Sequence, residues 1–171
     1  MPYAWPADPT ADSVRSTGQG SCASKHALVA ERLGALGIKS RPLFVVGPLV
    51  PSLLAEDPEI GAGVGLVEVH ECLTVTMPGV GPVRVDVTWD PPLVRRGLPG
   101  TLTWDGRSDM AVAVGASDRW WAPDPSRLRE QKEALRSRLY AASERAVRDR
   151  VLAAMSEQFA RWRAEPSGSA Q

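Results

Sequence analysis

The sequence predicts an α+β domain, and three observations carry that prediction. A Gly-rich turn, Gly18-Gln19-Gly20-Ser21, runs straight into a segment whose apolar residues recur at helical spacing. Two segments of period-two alternation, 67–76 and 83–90, flank the turn-forming run Met77-Pro78-Gly79-Val80-Gly81-Pro82. From Ser126 to Glu165 there is neither Gly nor Pro. A helix, an antiparallel hairpin and a helical extension together make an α+β fold.

Length and charge narrow the function classes. The 171 residues, 43% hydrophobic and 23% charged, suit one domain with a real core. Twenty basic and 20 acidic residues give zero formal net charge, so neither nucleic acid nor an anionic membrane is an expected partner. Nearly all basic residues are Arg; the lysines are Lys25, Lys39 and Lys132. Two cysteines are too few for a disulfide framework. Met1 to Gly20 holds Pro2, Pro6 and Pro9 and no apolar stretch of signal-peptide type, and no apolar run approaches membrane-spanning length. The expectation is a cytoplasmic protein without a cofactor.

Residues 1–17 read as an extended or disordered lead-in, because Pro and small polar residues dominate. Beyond Ser21, the residues Ala27, Leu28, Ala30, Leu33 and Leu36 predict a helix that stops at Gly37. Leu43-Phe44-Val45-Val46 predicts a short buried strand, closed by Gly47-Pro48. Residues 48–66, rich in Pro, Gly and acids, read as a long irregular loop with one helical turn, a candidate lid or pocket wall.

The next two strands carry the geometry. Val67, Val69, Glu71, Leu73 and Val75 share one face of the first, and Glu68, His70, Cys72, Thr74 and Thr76 the other. In the second, Val83, Val85, Val87 and Trp89 are the apolar face, opposite Arg84, Asp86, Thr88 and Asp90. A hairpin centred near Pro78 sets His70 opposite Asp86, and a shift of two leaves them diagonal neighbours. Met110-Ala111-Val112-Ala113-Val114 is a further strand candidate. An apolar stripe runs from Leu128 through Leu135, Leu139, Val151, Met155 and Phe159 to Trp162. One continuous helix over 126–165 would be about 60 Å long, against a radius of gyration of roughly 16 Å. The segment is therefore two helices broken near 140–143, or one long helix that forms a homodimer. Residues 18–125 are the core, 126–165 a helical C-terminal extension and 166–171 a disordered tail.

The chemistry centres on Cys22. A thiol at a helix N-terminus is favoured as thiolate by free backbone N–H groups and the positive end of the macrodipole. His70 is the candidate base and Asp86 the group that orients it, making Cys22, His70 and Asp86 a catalytic set. The Cys22 N–H and the Gln19 amide are the candidate oxyanion donors.

Gly20-Ser21-Cys22 opening an Ala/Leu-rich helix, Leu36-Gly37-Ile38 before a strand, and then His70 and Asp86 on consecutive strands resemble the transglutaminase-like (papain-related) superfamily in its bacterial members. Asp86-Val87-Thr88-Trp89 resembles that family's Asp-Pro-Thr strand end. The resemblance covers about residues 18–90. Glu71-Cys72 stand where many relatives carry Ala-Trp, and Ser126–Glu165 has no assigned counterpart. It implies a Cys-bearing helix packed on an antiparallel sheet, and cysteine-dependent acyl transfer or hydrolysis on a small-molecule or peptide acyl substrate.

Other readings compete. Cys22, His26, His70 and Cys72 could form a Cys₂His₂ zinc site, although His26 by itself reads as a packing or hydrogen-bonding residue. Cys22 and Cys72 could pair as a disulfide. Asp90 could replace Asp86, although its place before Pro91 reads as a strand-end cap. The tryptophans read as packing. The domain could also be a non-catalytic binding module that uses its C-terminal helix.

Overall fold

In the computed structural model, which describes residues 1–115 and 117–165, the turn before Cys22 is gripped by the chain that precedes it. Helix α1 (Ala11–Thr17) begins at Thr10, whose hydroxyl accepts from the Ser13 N–H, and ends at Gly18 in the left-handed region. Residues 2–4 run beside Gly20, with Gly20 N–H donating to the Pro2 carbonyl (3.1 Å) and Ala4 N–H to the Gly20 carbonyl (3.2 Å). Tyr3 is buried and meets Trp89 and Phe159 edge-on, at 4.8 and 5.9 Å between centroids. The expectation of an extended or disordered lead-in over 1–17 is therefore corrected. Tyr3, Ala11 and Val14 are buried and supply the apolar contacts that order it. Gly20 must be Gly: a Cβ there would lie 2.4 Å from Ser24 Oγ and 2.8 Å from Val14 Cγ2.

Helix α2 (Cys22–Ala35) starts at Ser21, which is extended, and ends as the sequence predicts. Gly37 takes φ +73°. The Ile38 N–H then reaches the Leu33 carbonyl and the Gly37 N–H the Gly34 carbonyl, both at 2.9 Å, which closes the last turn. Strand β1 (Ser40–Pro48) pairs antiparallel with β2 (Val67–Met77), and β2 with β3 (Gly81–Val85). A two-residue strand β4 (Trp120–Trp121) pairs with Phe44 and Val45, completing the sheet order β3-β2-β1-β4. Val29, Ala30 and Leu33 of α2 lie against Leu73, Val75, Val83 and Val85. Each such buried aliphatic contributes roughly 1.5–3 kcal/mol. Residues 48–66 hold two single 3-10 turns, Ser52–Leu54 and Gly61–Gly63. The short helix α3 (Pro91–Arg95) follows β3.

The register differs from the expected one by two. Leu73 faces Val85 and Met77 faces Gly81, which centres the hairpin on Gly79 rather than Pro78. Pairing ends at Val85, so residues 86–90 are not strand. Residues 110–114 also form no strand. Met110 makes one backbone bond to the Arg84 carbonyl (3.0 Å), and the Ala113 N–H further on donates to the Asp86 side chain (2.9 Å).

The C-terminal segment is two helices, α4 (Leu128–Leu139) and α5 (Ala142–Ala164). They break where Tyr140 turns extended and its hydroxyl donates to the Val67 carbonyl. The Ala141 N–H, left without a helical partner, donates to Glu144 Oε2 (2.6 Å). The apolar stripe is spent inside the chain. Leu128, Leu135 and Leu139 cover Phe44, Val46 and Val69, while Val151, Leu152, Met155 and Phe159 share a core with Leu49, Val50 and Ile60. Residues 126–165 are thus packed on the 18–125 core rather than appended to it, and the stripe on which a helix-mediated homodimer was premised is already covered. The expected tail, 166–171, lies outside the described residues. Among the described residues no helix is long and apolar enough to cross a membrane.

Candidate active site at the start of the second helix

Cys22 is the first residue of α2 and lines a cavity of about 1150 Å³. Ser21 gives this helix no side-chain cap, and the Cys22 N–H, as the first of the helix, has no intrahelical partner and is a candidate donor beside the thiol. His70, three residues before the last β2–β3 pair, reaches back with Nε2–H donating to Asp86 Oδ2 at 2.7 Å. Asp86 also accepts from the Thr88 N–H on Oδ1 (3.0 Å) and the Ala113 N–H on Oδ2 (2.9 Å). With Nε2 held by Asp86, the other ring nitrogen is left for Cys22, which lines the same cavity as His70. His70 and Asp86 therefore meet, in the diagonal arrangement that a register shift of two allows, and His70 lines the same cavity as Cys22.

Their electrostatics form one coupled system. Burial alone would raise the Cys22 thiol, but the Lys132 ammonium and the His70 hydrogen bond bring it down to about 7. Burial would lower His70, but the charge and hydrogen bond of Asp86 lift it to about 10. Burial likewise opposes ionised Asp86, yet the charge and hydrogen bond of His70 hold it well below the usual carboxylate range. Together these shifts favour the thiolate of Cys22, the imidazolium of His70 and the carboxylate of Asp86.

Lys132, supplied by α4, is the member that sequence reasoning missed. Its Nζ lies 3.9 Å from Cys22 Sγ and 3.2 Å from Glu71 Oε2, and the residue is only 7% exposed. Its place within the apolar-spaced helix was the available signal, since a lysine beside Leu128 and Leu135 on a covered face needs a buried partner. Lys132→Met is expected to move the midpoint of Cys22 alkylation by iodoacetamide from near pH 7 to higher pH, because the cation that favours the thiolate is gone. An unchanged midpoint would remove Lys132 from the site.

Two α2 residues fix Asp86 relative to Cys22. The His26 Nε2 accepts from the Val87 N–H (3.0 Å), which requires the proton on Nδ1, where it donates to the Cys22 carbonyl (2.7 Å). Burial drives this imidazole down to about 4 despite the Asp86 charge, so it stays neutral. Lys25, fully buried, donates to the Thr88 carbonyl (2.5 Å), and burial lowers it to about 8 against the pull of Asp90. Residues 87 and 88, directly after Asp86, are thus clamped to the helix that carries Cys22.

Other expected site residues lie elsewhere. Gln19 is exposed and does not line the cavity, so its amide is not placed as an oxyanion donor. Asp90 is the residue before α3 and makes a two-point ion pair with Arg163 of α5, at 2.6 and 2.8 Å, which removes it as a substitute for Asp86. The zinc alternative fails on its donors. Among the described residues no three His, Cys, Asp or Glu side chains are grouped to hold a metal ion, and both His26 nitrogens are already engaged. Cys72 is fully buried with its thiol driven upward by burial, and neither cysteine is in a disulfide.

No family model, curated protein or solved structure matches the chain.

Proposed function

We propose that the protein is a transglutaminase-like cysteine acyltransferase or hydrolase that works through a Cys22 thioester. The observation that carries this reading is the hydrogen-bonded His70–Asp86 pair in one cavity with Cys22, which opens a helix and has Lys132 beside its sulfur. The thiolate attacks the carbonyl carbon of an amide or thioester. A carbon–sulfur bond forms, and the carbonyl electron pair moves onto oxygen beside the Cys22 N–H. Collapse re-forms the carbonyl and breaks the bond to the leaving group, which takes the proton from the His70 imidazolium. Neutral His70 then accepts a proton from water or an amine as it attacks the thioester, and the Cys22 thiolate departs. Asp86 holds the ring in one orientation through both steps.

The reactive form requires Cys22 ionised and His70 protonated together. Thiolate is lost as pH falls through about 7, and imidazolium is lost as pH rises through about 10. The rate of acylation by p-nitrophenyl acetate is therefore expected to be bell-shaped with limbs near those values, which belong to the coupled pair. Intact-mass analysis should show one added acetyl group located on Cys22. Acetylation spread over lysines, or a rate that follows hydroxide alone, would defeat the proposal.

A further inference from the structure

The cavity beside Cys22 is larger than the triad needs, and its walls are mixed, with charged side chains such as Glu68, Glu71, Lys132 and Arg136 alongside aliphatic ones that belong to the core. Leu49, Val50, Leu152 and Met155, each no more than 7% exposed, belong to the main hydrophobic cluster and also line this cavity. At about 1150 Å³ it exceeds the usual 300–1,000 Å³ of a ligand pocket. The aliphatic part of such an open cavity favours a ligand that covers it with carbon and displaces its water. The rim repeats the pattern. Leu53 and Val64 line the same cavity yet are 46% and 58% exposed, so the 48–66 segment offers apolar side chains to solvent at its mouth. Trp5 also lines the cavity and is held in place by Arg148 over its ring at 5.0 Å. Apolar surface thus runs from an exposed lip to a buried floor, in one cavity with the nucleophile.

We infer that the acyl donor carries an extended apolar acyl group, seated between the 48–66 segment and α5 with its carbonyl at Cys22. This rests on the acyl-transfer reading above and adds the class of substrate to it. Leu53 and Val64 meet the incoming chain, and Leu152 and Met155 set how long a chain fits.

The test has two arms. In the first, acylation of the wild-type protein is followed with p-nitrophenyl acetate, butyrate, hexanoate and octanoate below their micellar concentrations. The expected kcat/KM rises about fourfold per added methylene until the cavity is filled. Leu53→Glu, at the exposed lip where folding is not at stake, should lower the octanoyl-to-acetyl ratio about tenfold. Leu152→Trp should shorten the preferred chain. In the second arm, Cys22→Ala protein is titrated calorimetrically with octanoate and with acetate, and saturable binding of octanoate alone is expected. A kcat/KM that is flat or falls with chain length overturns the inference while leaving acyl transfer standing. Absence of octanoate binding to the Cys22→Ala protein overturns it whatever the esters do. Octanoate binding without acylation by any ester sinks the acyl-transfer proposal instead and leaves the apolar pocket in place.

Discussion

Replacing Asp86 by Asn is expected to lower kcat/KM by about 10²–10⁴-fold while the protein stays folded. The carboxylate accepts from His70 and from two backbone N–H groups. An amide can still accept from one of those N–H groups, but its NH₂ then faces the His70 ring. Nε2 must turn from donor to acceptor, which moves the ring proton to the nitrogen that should take the thiol proton. The wrong tautomer in a serine triad costs about 10⁴-fold. Lys132 still favours the thiolate here, so the loss can be smaller.

A second readout of Asp86→Asn follows from linkage. His70 is raised from 6.5 to about 10, so its contribution to stability is fully present below about pH 6.5 and is lost as pH rises through 10. Asp86 is depressed, so its contribution is present above its unfolded value of about 4 and is lost on acidification. In the Asn variant both contributions go. The melting temperature should therefore vary less between pH 6.5 and 10 than in the wild type. A variant with full activity and the wild-type melting profile would show that Asp86 neither orients nor charges His70.

Cys22→Ala is expected to abolish acyl transfer, with a loss of the order of 10⁶-fold, as for other nucleophile deletions. Ala suits the first turn of a helix, and Cys22 is only half-buried on the cavity wall, so little packing is lost. Lys132 keeps Glu71 and His70 keeps Asp86, so no charge is left alone. The variant should melt close to the wild type and show no acyl adduct by mass. Residual acylation with the wild-type pH profile would mean that another group is the nucleophile.

Much of this site is legible in the sequence because its parts obey local rules. A Gly-rich turn before an Ala/Leu helix places Cys22 on the first turn, and Gly37 ends the helix in the left-handed conformation that only Gly adopts freely. The hairpin survives an error of register because the pleat has period two: a slip of two residues keeps His70 and Asp86 on one face and within reach. What fails is what depends on distant partners. Residues 110–114 are a short apolar run that suits a strand, yet they lie along an edge already turning away at Asp86, and the Ala113 N–H goes to a side chain instead. The Pro-rich N-terminus reads as unstructured until Tyr3 finds Trp89 and Phe159.

By itself, the sequence determines the helix that carries Cys22, the hairpin that follows and the nearness of His70 to Asp86, since turn chemistry, periodicity and strand alternation act over a few residues. Only the tertiary structure decides that Lys132, 110 residues beyond Cys22, is the cation beside the sulfur. The apolar stripe of 126–165 suits a long helix or two short ones equally well. The choice falls to Tyr140, which leaves the helix to bond the Val67 carbonyl and lets α4 turn its lysine toward the sheet. The cavity is decided in the same way. Its walls come from segments far apart in the chain, and their joint shape exists only once α5 has packed against the 48–66 loop.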